Sequence, residues 1–243
     1  MSQEKKTLGV IGGLGPMATA YFMELVIRMT QADTDQDHLE MIVYNAPSIP
    51  NRTAFILGES TQNPLPQMCA IGKALHSQGA GVIAIPCITA HSFYDRLQES
   101  IGVRIIHALR ETAAHLQQRG ITKVGILATS GTIATGVLHN CLAEAGIIAV
   151  VPDEIGQGKI MDIIYRDIKA GKEPNLESFR EVSQALVSQG AQVLLLGCTE
   201  LSLIKRSYTL GPGYLDMLEV LAQQAVLRCG AALRPEYENL IST

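Results

Sequence analysis

The chain is predicted to fold as two pseudo-symmetric, doubly wound α/β domains, each on a mainly parallel central sheet, with a small-ligand site in the cleft between them. Two internal matches predict this. At a constant spacing of 111 residues, Ser77-Gln78-Gly79-Ala80, Val82 and Cys87 fall on Ser188-Gln189-Gly190-Ala191, Val193 and Cys198. At a spacing of 116, Gly9, Gly15, Ala18 and Thr19 fall on Gly125, Gly131, Ala134 and Thr135. The matches keep the same order, and glycine lies 78 residues before cysteine in the first half and 73 in the second. Such self-similarity reads as a duplication, and interdomain clefts are common sites for small ligands.

Each element follows in order. Thr7–Ile11 is a short apolar strand ending in Gly12-Gly13-Leu14-Gly15-Pro16, and Met17–Thr30 carries a helical period. Strand, glycine turn and helix open a doubly wound unit. Leu39–Asn45 is a second strand, and the two prolines of Ala46–Thr53 enforce an irregular loop. Pro66–Gln78 is a helix and Gly81–Pro86 the third strand. Lys123–Leu127 restarts the plan, with a helix running to about Ala145, a strand at Ile147–Val151, helices over Gln157–Lys169 and Asn175–Ser188, and a strand at Gln192–Leu196. Gly213–Cys229 reads as a helix packing back on the first half. The expected domains are 1–102 with 211–243, and 103–210.

At 243 residues the chain can build sizeable cores. Its 47% hydrophobic and 17% charged composition is that of an ordinary soluble protein. A net charge of −4 gives no basic footprint for nucleic acid and no polybasic patch for a membrane surface. No apolar run reaches the roughly 18 residues of a membrane span. Met1–Lys6 has no secretory pattern. Five cysteines without disulfide or metal-ligand spacing fit a reducing, cytoplasmic setting with free thiols.

Open α/β sheets place ligands at the carboxyl ends of their strands. Cys87 and Cys198 stand at two such ends in equivalent positions, so two thiols are expected to face one site from opposite sides. Cys69, Cys141 and Cys229 lie in helical patterns and are read as packing residues. The Gly-Gly-Leu-Gly-Pro turn lacks both the dinucleotide fingerprint and a Walker lysine. Its glycines are expected to let backbone approach a small substrate.

Four stretches stand out: Gly12-Gly13-Leu14-Gly15-Pro16-Met17-Ala18-Thr19, Pro47-x-Ile49-Pro50-Asn51-Arg52-Thr53, Pro86-Cys87-x-Thr89-Ala90-His91 and Leu196-Gly197-Cys198-Thr199-Glu200-Leu201. Together they resemble the aspartate/glutamate racemase family, most of all its aspartate racemase branch. The resemblance spans nearly the whole chain. It implies two pseudo-symmetric domains, no pyridoxal phosphate or metal, a homodimer, and Cys87 and Cys198 as a paired acid and base. It also implies Arg52 as the partner of the substrate's distal carboxylate, which a guanidinium can grip with two hydrogen bonds. Lys169 is implied as a second carboxylate partner, with Lys159 competing for the role. Ile88 stands where the family usually has a substrate-binding asparagine, and the Asp-Ser-Gly of the glutamate branch is absent from the first turn.

Racemisation takes the α-proton from one face and returns a proton to the other, so two opposed groups are its simplest machinery. A helix N-terminus after each cysteine would favour its thiolate. Thr89 and Thr199, just past the cysteines, could cap those helices or offer donors to the substrate. Thr132, in the duplicated turn, could add another donor. His91 is read as a satisfied structural histidine, and Glu200 as a residue that orients its loop or caps a helix. The reading is a cofactor-independent amino-acid racemase acting on aspartate. The alternatives are glutamate or broad specificity, a hydantoin racemase or maleate isomerase, and a binding protein on the racemase scaffold.

Overall fold

β1 (Leu8–Gly12) is buried along its whole length, as a strand covered on both faces must be. In the computed structural model, which describes residues 5–243, β1 pairs in parallel with β2 (Met41–Asn45) and β3 (Val82–Ala84), in the order β2-β1-β3. The N-terminal stretch read as lacking a secretory pattern lies largely outside the described residues. β4 (Lys123–Leu127) has the equivalent place in a second parallel sheet, between β5 (Ile148–Val150) and β6 (Val193–Leu196). A further strand, β7 (Tyr214–Asp216), extends that sheet beside β6. In the first sheet a single parallel bridge from Ile105 to Ile83 corresponds to it. The predicted α/β class and duplicated topology are present.

The duplicated Ser-Gln-Gly-Ala ends a helix in each half. After α1 (Pro16–Met29) and the short α2 (Arg52–Ile56), α3 (Leu65–Ser77) closes with Gly79 at φ +100° and the Ala80 N–H donating to Leu75 O at 3.0 Å. The later helix Leu176–Ser188 closes the same way, with Gly190 at φ +90° and the Ala191 N–H on Leu186 O at 3.2 Å. This six-to-one bond needs a left-handed residue, which glycine supplies, and the alanine then starts the descent into the strand. The same motif thus aims β3 and β6, and through them the two cysteines.

α4 (Tyr94–Ile101) and α5 (Ala108–Gln117) follow the first cysteine. α6 (Ser130–Ala134) and α7 (Val137–Glu144) follow β4; the single helix expected to reach Ala145 is broken at Gly136, whose φ is +66°. α8 (Glu154–Asp162) passes into a π-helical turn, Ile163–Ile168, before α9, the helix Leu176–Ser188. α10 (Thr199–Ser207) follows the second cysteine, and α11 (Met217–Arg228) follows β7. The helix expected over Gly213–Cys229 is therefore a strand followed by a helix. Three residues before an apolar helix are too few to display a strand period.

α5 and α11 exchange halves: α5 packs on α7, α11 packs on α1, and the two cross each other. One hydrophobic core consequently runs through both sheets, joining Val10 and Phe22 to Val124, Ile126 and Leu221. The outer face of the first sheet has its own core around Ile11, Met68 and Leu97, and that of the second around Leu127, Phe179 and Leu186. From the helix exchange we propose the division 1–102 with 211–243, and 103–210; each crossing keeps one short pairing on the sheet it leaves, Ile105 on Ile83 in the first and β7 on β6 in the second.

Candidate active site

Cys87 and Cys198 end the segments that follow β3 and β6, and each is 6% exposed. Cys198 is the residue before α10, whereas Cys87 precedes a 3-10 turn, Ile88–Phe93, that leads into α4. The expected regular helix therefore follows only the second cysteine directly. Both cysteines line one small chamber with Leu14, Asn51, Arg52, Thr53, Ile88, Thr89, Thr129, Tyr165, Lys169, Thr199 and Glu200. Its volume is about 20 Å³, room for about one water. A vestibule of about 400 Å³ lies against it, lined by Gly13, Gly15, Pro47 and Leu203 among others. Asn51, Arg52, Tyr165, Lys169 and Glu200 line both spaces and so form the partition between them.

Arg52 begins α2, where the Asn51 side chain accepts the Ala54 N–H at 3.2 Å. Nη1 of Arg52 donates to Ile49 O at 3.2 Å and Pro50 O at 3.0 Å, and Nη2 to Leu14 O at 3.2 Å. Three backbone carbonyls thus fix the guanidinium plane, while Nε is buried without a partner. Buried donors normally find acceptors, so Nε stands out as the unpaired donor of this guanidinium.

Thr89, Thr129 and Thr132 bond one another in a triangle: 3.0 Å from Thr89 to Thr129, 2.9 Å from Thr89 to Thr132 and 3.1 Å from Thr129 to Thr132. Thr53 adds a bond to Thr129 at 3.3 Å. These hydroxyls join the two halves beneath the chamber. Thr132 itself does not line the chamber; it stands behind Thr89 and Thr129, which do. The Thr199 hydroxyl lies 3.5 Å from the Glu200 carboxylate. Neither Thr89 nor Thr199 makes a side-chain cap.

Also lining the chamber, Cys198 Sγ donates to Glu200 Oε2 at 3.0 Å, and Glu200 Oε1 accepts from Lys169 Nζ. Burial, and then the Glu200 charge, push the Cys198 thiol well above its ordinary pKa, with Lys169 opposing. Burial alone would lower the Lys169 pKa; the charge of Glu200, aided by Cys198 and Cys87, more than offsets it and leaves that pKa raised. Cys198 is therefore held as a thiol and Lys169 as an ammonium. Lys159 lies elsewhere, paired with Glu181. His91 is buried, with Nδ1 3.0 Å from Cys87 O and Nε2 3.4 Å from Ile106 O, and does not line the chamber. Burial lowers its pKa, so it is neutral and structural. Cys69, Cys141 and Cys229 lie outside both spaces, and burial raises the Cys229 thiol to about 11.

The duplicated turn works by close approach. A Cβ on Gly15 would lie 3.0 Å from Glu200 Oε1, and one on Gly131 would lie 2.9 Å from Thr53 Cα. Each half's turn glycine therefore abuts the other half. The duplicated threonines close these turns: Thr19 Oγ1 donates to Gly15 O at 2.9 Å, and Thr135 Oγ1 to Thr132 O at 3.0 Å. Gly13 and Gly15 do line the vestibule, whereas Gly12 packs on Thr19. Sequence reasoning passed over Thr129, Tyr165 and Asn51, and missed the bond from Cys198 to Glu200. The Thr129-x-x-Thr132 spacing at a helix start was a usable signal for the first.

No helix among the described residues is long and apolar enough to cross a membrane, and no metal-binding cluster of His, Cys, Asp and Glu occurs among them. Residues 11–225 match the family described as Asp/Glu/Hydantoin racemase. The chain is 27% identical over 207 residues to the broad specificity amino-acid racemase RacX of Bacillus subtilis (strain 168), covering 81% of this chain and 86% of that one. It superposes on the Picrophilus torridus aspartate racemase with a TM-score of 0.81 at 30% identity, covering 96% and 97% of the two chains. An aspartate racemase homologue from Pyrococcus horikoshii OT3 gives a TM-score of 0.73 at 26% identity, covering 92% and 99%. With these likenesses added to the duplicated fold, the chain belongs to the Asp/Glu/hydantoin racemase family and is an isomerase of the amino-acid racemase kind.

Proposed function

We propose that this enzyme is a cofactor-independent aspartate racemase that passes the α-proton between Cys87 and Cys198, and that it works as a cytoplasmic homodimer. The observation carrying this reading is that the two cysteines of the duplicated motif line one chamber together with Arg52 and Lys169. In one direction the Cys87 thiolate takes the α-proton, the C–H electron pair passes into the α-carboxylate, and the Cys198 thiol protonates the opposite face. The roles are then exchanged, and the reverse reaction restores them. No proton is gained or lost. Starting with Cys198 as the thiol agrees with its burial beside Glu200.

The α-carbanion is the difficult species, and preformed donors stabilise developing charge without reorganising. The hydroxyls of Thr89 and Thr199 supply them at the chamber wall, with Arg52 taking the side-chain carboxylate and Lys169 a second carboxylate contact. Thr132 holds Thr89 in place. An amino acid does not fit in about 20 Å³, so the two halves open to admit substrate and close over it, excluding water.

Proton NMR of L-aspartate in D₂O, with chiral analysis of the product, tests this. The wild-type enzyme exchanges the α-proton and forms D-aspartate; Cys87→Ser and Cys198→Ser each lose racemisation by at least about a thousandfold, as removal of an acid/base group predicts. No exchange with aspartate, glutamate or neutral amino acids would end the racemase assignment of the site. Mass detection of a transient thiol adduct would favour maleate-isomerase chemistry instead, in which one cysteine is a covalent nucleophile. A second reading, broad specificity, is favoured by the buried apolar Ile88 on the chamber wall and by the relative from Bacillus subtilis.

A further inference from the structure

Both cations of the partition are already engaged by acceptors of the protein itself. Arg52 is held by three carbonyls, and Lys169 by the Glu200 carboxylate. The two engagements differ in kind. A carbonyl brings no charge, so Arg52 stays a net cation toward the chamber. Glu200 neutralises Lys169. Among the described residues it is also the single carboxylate lining either the chamber or the vestibule, and its side chain is 6% exposed against 28% for Lys169.

We propose that Glu200 is an internal stand-in for a substrate carboxylate: it occupies Lys169 in the free enzyme, and an incoming carboxylate replaces it there. The proposal rests on reading Lys169 as a carboxylate partner of the substrate. An anion reaching Lys169 from the vestibule meets the Glu200 charge at the same ammonium, and two carboxylates there repel strongly in a partly desolvated site. Exchange of one carboxylate for the other keeps Lys169 paired, provided that Glu200 swings away from the incoming anion as it is released. No proton or covalent bond has to change.

The surroundings fit an exchangeable contact. Lys169 follows the π-helical turn Ile163–Ile168, the kind of irregular turn that marks adjustable functional segments. Its ammonium also lies 5.8 Å from the Tyr165 ring centroid, a second cation-holding face on the same partition. The first half's turn lies close against the pair at Gly15: a Cβ there would stand 3.0 Å from Glu200 Oε1 and 3.7 Å from Lys169 Nζ. An amino acid with one carboxylate, spent on the reaction-side donors, leaves Glu200 where it is. A second carboxylate displaces it, so the contact discriminates between acidic and neutral substrates.

Calorimetric titration with succinate tests this. Succinate has two carboxylates, no ammonium that Glu200 could hold, and no turnover. Glu200→Gln should bind succinate about tenfold or more tighter than wild type, the factor expected from removing about 1.4 kcal/mol of competition. The gain should vanish in Glu200→Gln/Lys169→Met. As a check that does not depend on Gln folding well, reductive ¹³C-methylation of wild-type lysines should give a Lys169 NMR signal that moves on succinate addition. Unchanged or weaker binding in Glu200→Gln, a gain that persists without Lys169, or a Lys169 signal indifferent to succinate would overturn the proposal. These readouts involve no catalysis, so failure of the aspartate racemase reading, seen as absent α-proton exchange, is a separate result.

Discussion

Ile88 is where chemistry and packing meet on one side chain. It is 2% exposed and belongs to the core shared by the two sheets, yet it also borders the chamber beside Cys87. An apolar wall there offers nothing to an ammonium or carboxylate and favours aliphatic substituents. Ile88→Asn should therefore shift the ratio of kcat/KM for aspartate over alanine toward aspartate by about tenfold, the worth of roughly one hydrogen bond to a charged group. The same change removes a buried aliphatic side chain and leaves an amide without a partner in the free enzyme. Urea unfolding should show a loss of about 2–4 kcal/mol. A ratio that stays put while stability falls would assign Ile88 to packing alone. Its neighbour Cys87 was legible because its motif is duplicated. Glu200 was visible as a residue, but its bond to Cys198 and Lys169 was not, because Lys169 arrives from a π-helical turn thirty-one positions away, and no local pattern encodes that approach.

The glycine turns and the helices they open set how closely the two halves approach. They also make a prediction that sequence alone could not rank, since Gly15 and Gly131 are equivalent in the duplication. At Gly131 an added methyl would meet Thr53 Cα at 2.9 Å, which is backbone; at Gly15 it would meet Glu200 Oε1 at 3.0 Å, the end of a side chain. Backbone cannot yield without moving α2 and Arg52 with it, whereas a carboxylate can swing. Gly131→Ala should cost about 1–3 kcal/mol, in the range of overpacked cores, and raise KM. Gly15→Ala should unfold within about 0.5 kcal/mol of wild type and alter succinate affinity through the displaced Glu200. Equal losses of stability in thermal unfolding would contradict this. The elements that sequence periodicity found were those with room to display a period, such as α1, α3 and α9. The equally short β3 and β5 were marked as apolar runs between turns, whereas β7 runs straight into the apolar start of α11 and was missed, and α6 was run into α7 because the intervening residues keep a helical composition across Gly136.

Across the whole molecule the exchange of α5 and α11 buries titratable groups deep in the joint core, and their balance sets stability against pH. Burial, then nearby charge, lowers His107 and His115 to about 4, and burial lowers His91 as well. The unfolded chain protonates these rings below about 6.5, whereas folded His107 and His115 do not take up protons until about 4 and burial holds His91 neutral to lower pH as well, so all three destabilise the fold as pH falls below about 6.5. Glu219, raised to about 7 by burial and then by Asp216, acts oppositely, as does Asp216, raised by burial. The folded chain keeps those protons while the unfolded chain has released them above about 4.5, so the Glu219 contribution is lost as pH rises through about 7 and that of Asp216 as pH rises through its own raised pKa. Between pH 6.5 and 5 these three histidines, together with His139, which burial also lowers, take up protons on unfolding and the two carboxylates give them up. The histidines win, and the unfolding free energy falls on acidification, at about 1.4 kcal/mol per pH unit for each net proton. Glu219→Gln removes one opposing group, leaving Lys205 to face Asp216 and a neutral amide. Its unfolding free energy, measured in urea at pH 6.5, 5.75 and 5, should fall more steeply than that of wild type by up to about 1.4 kcal/mol per pH unit. His115→Gln should flatten the wild-type slope by a similar amount. An unchanged slope in Glu219→Gln would mean that Lys205, which donates to Glu219 at 2.7 Å, keeps that carboxylate ionised in the fold, and the acid sensitivity would then belong to the histidines alone.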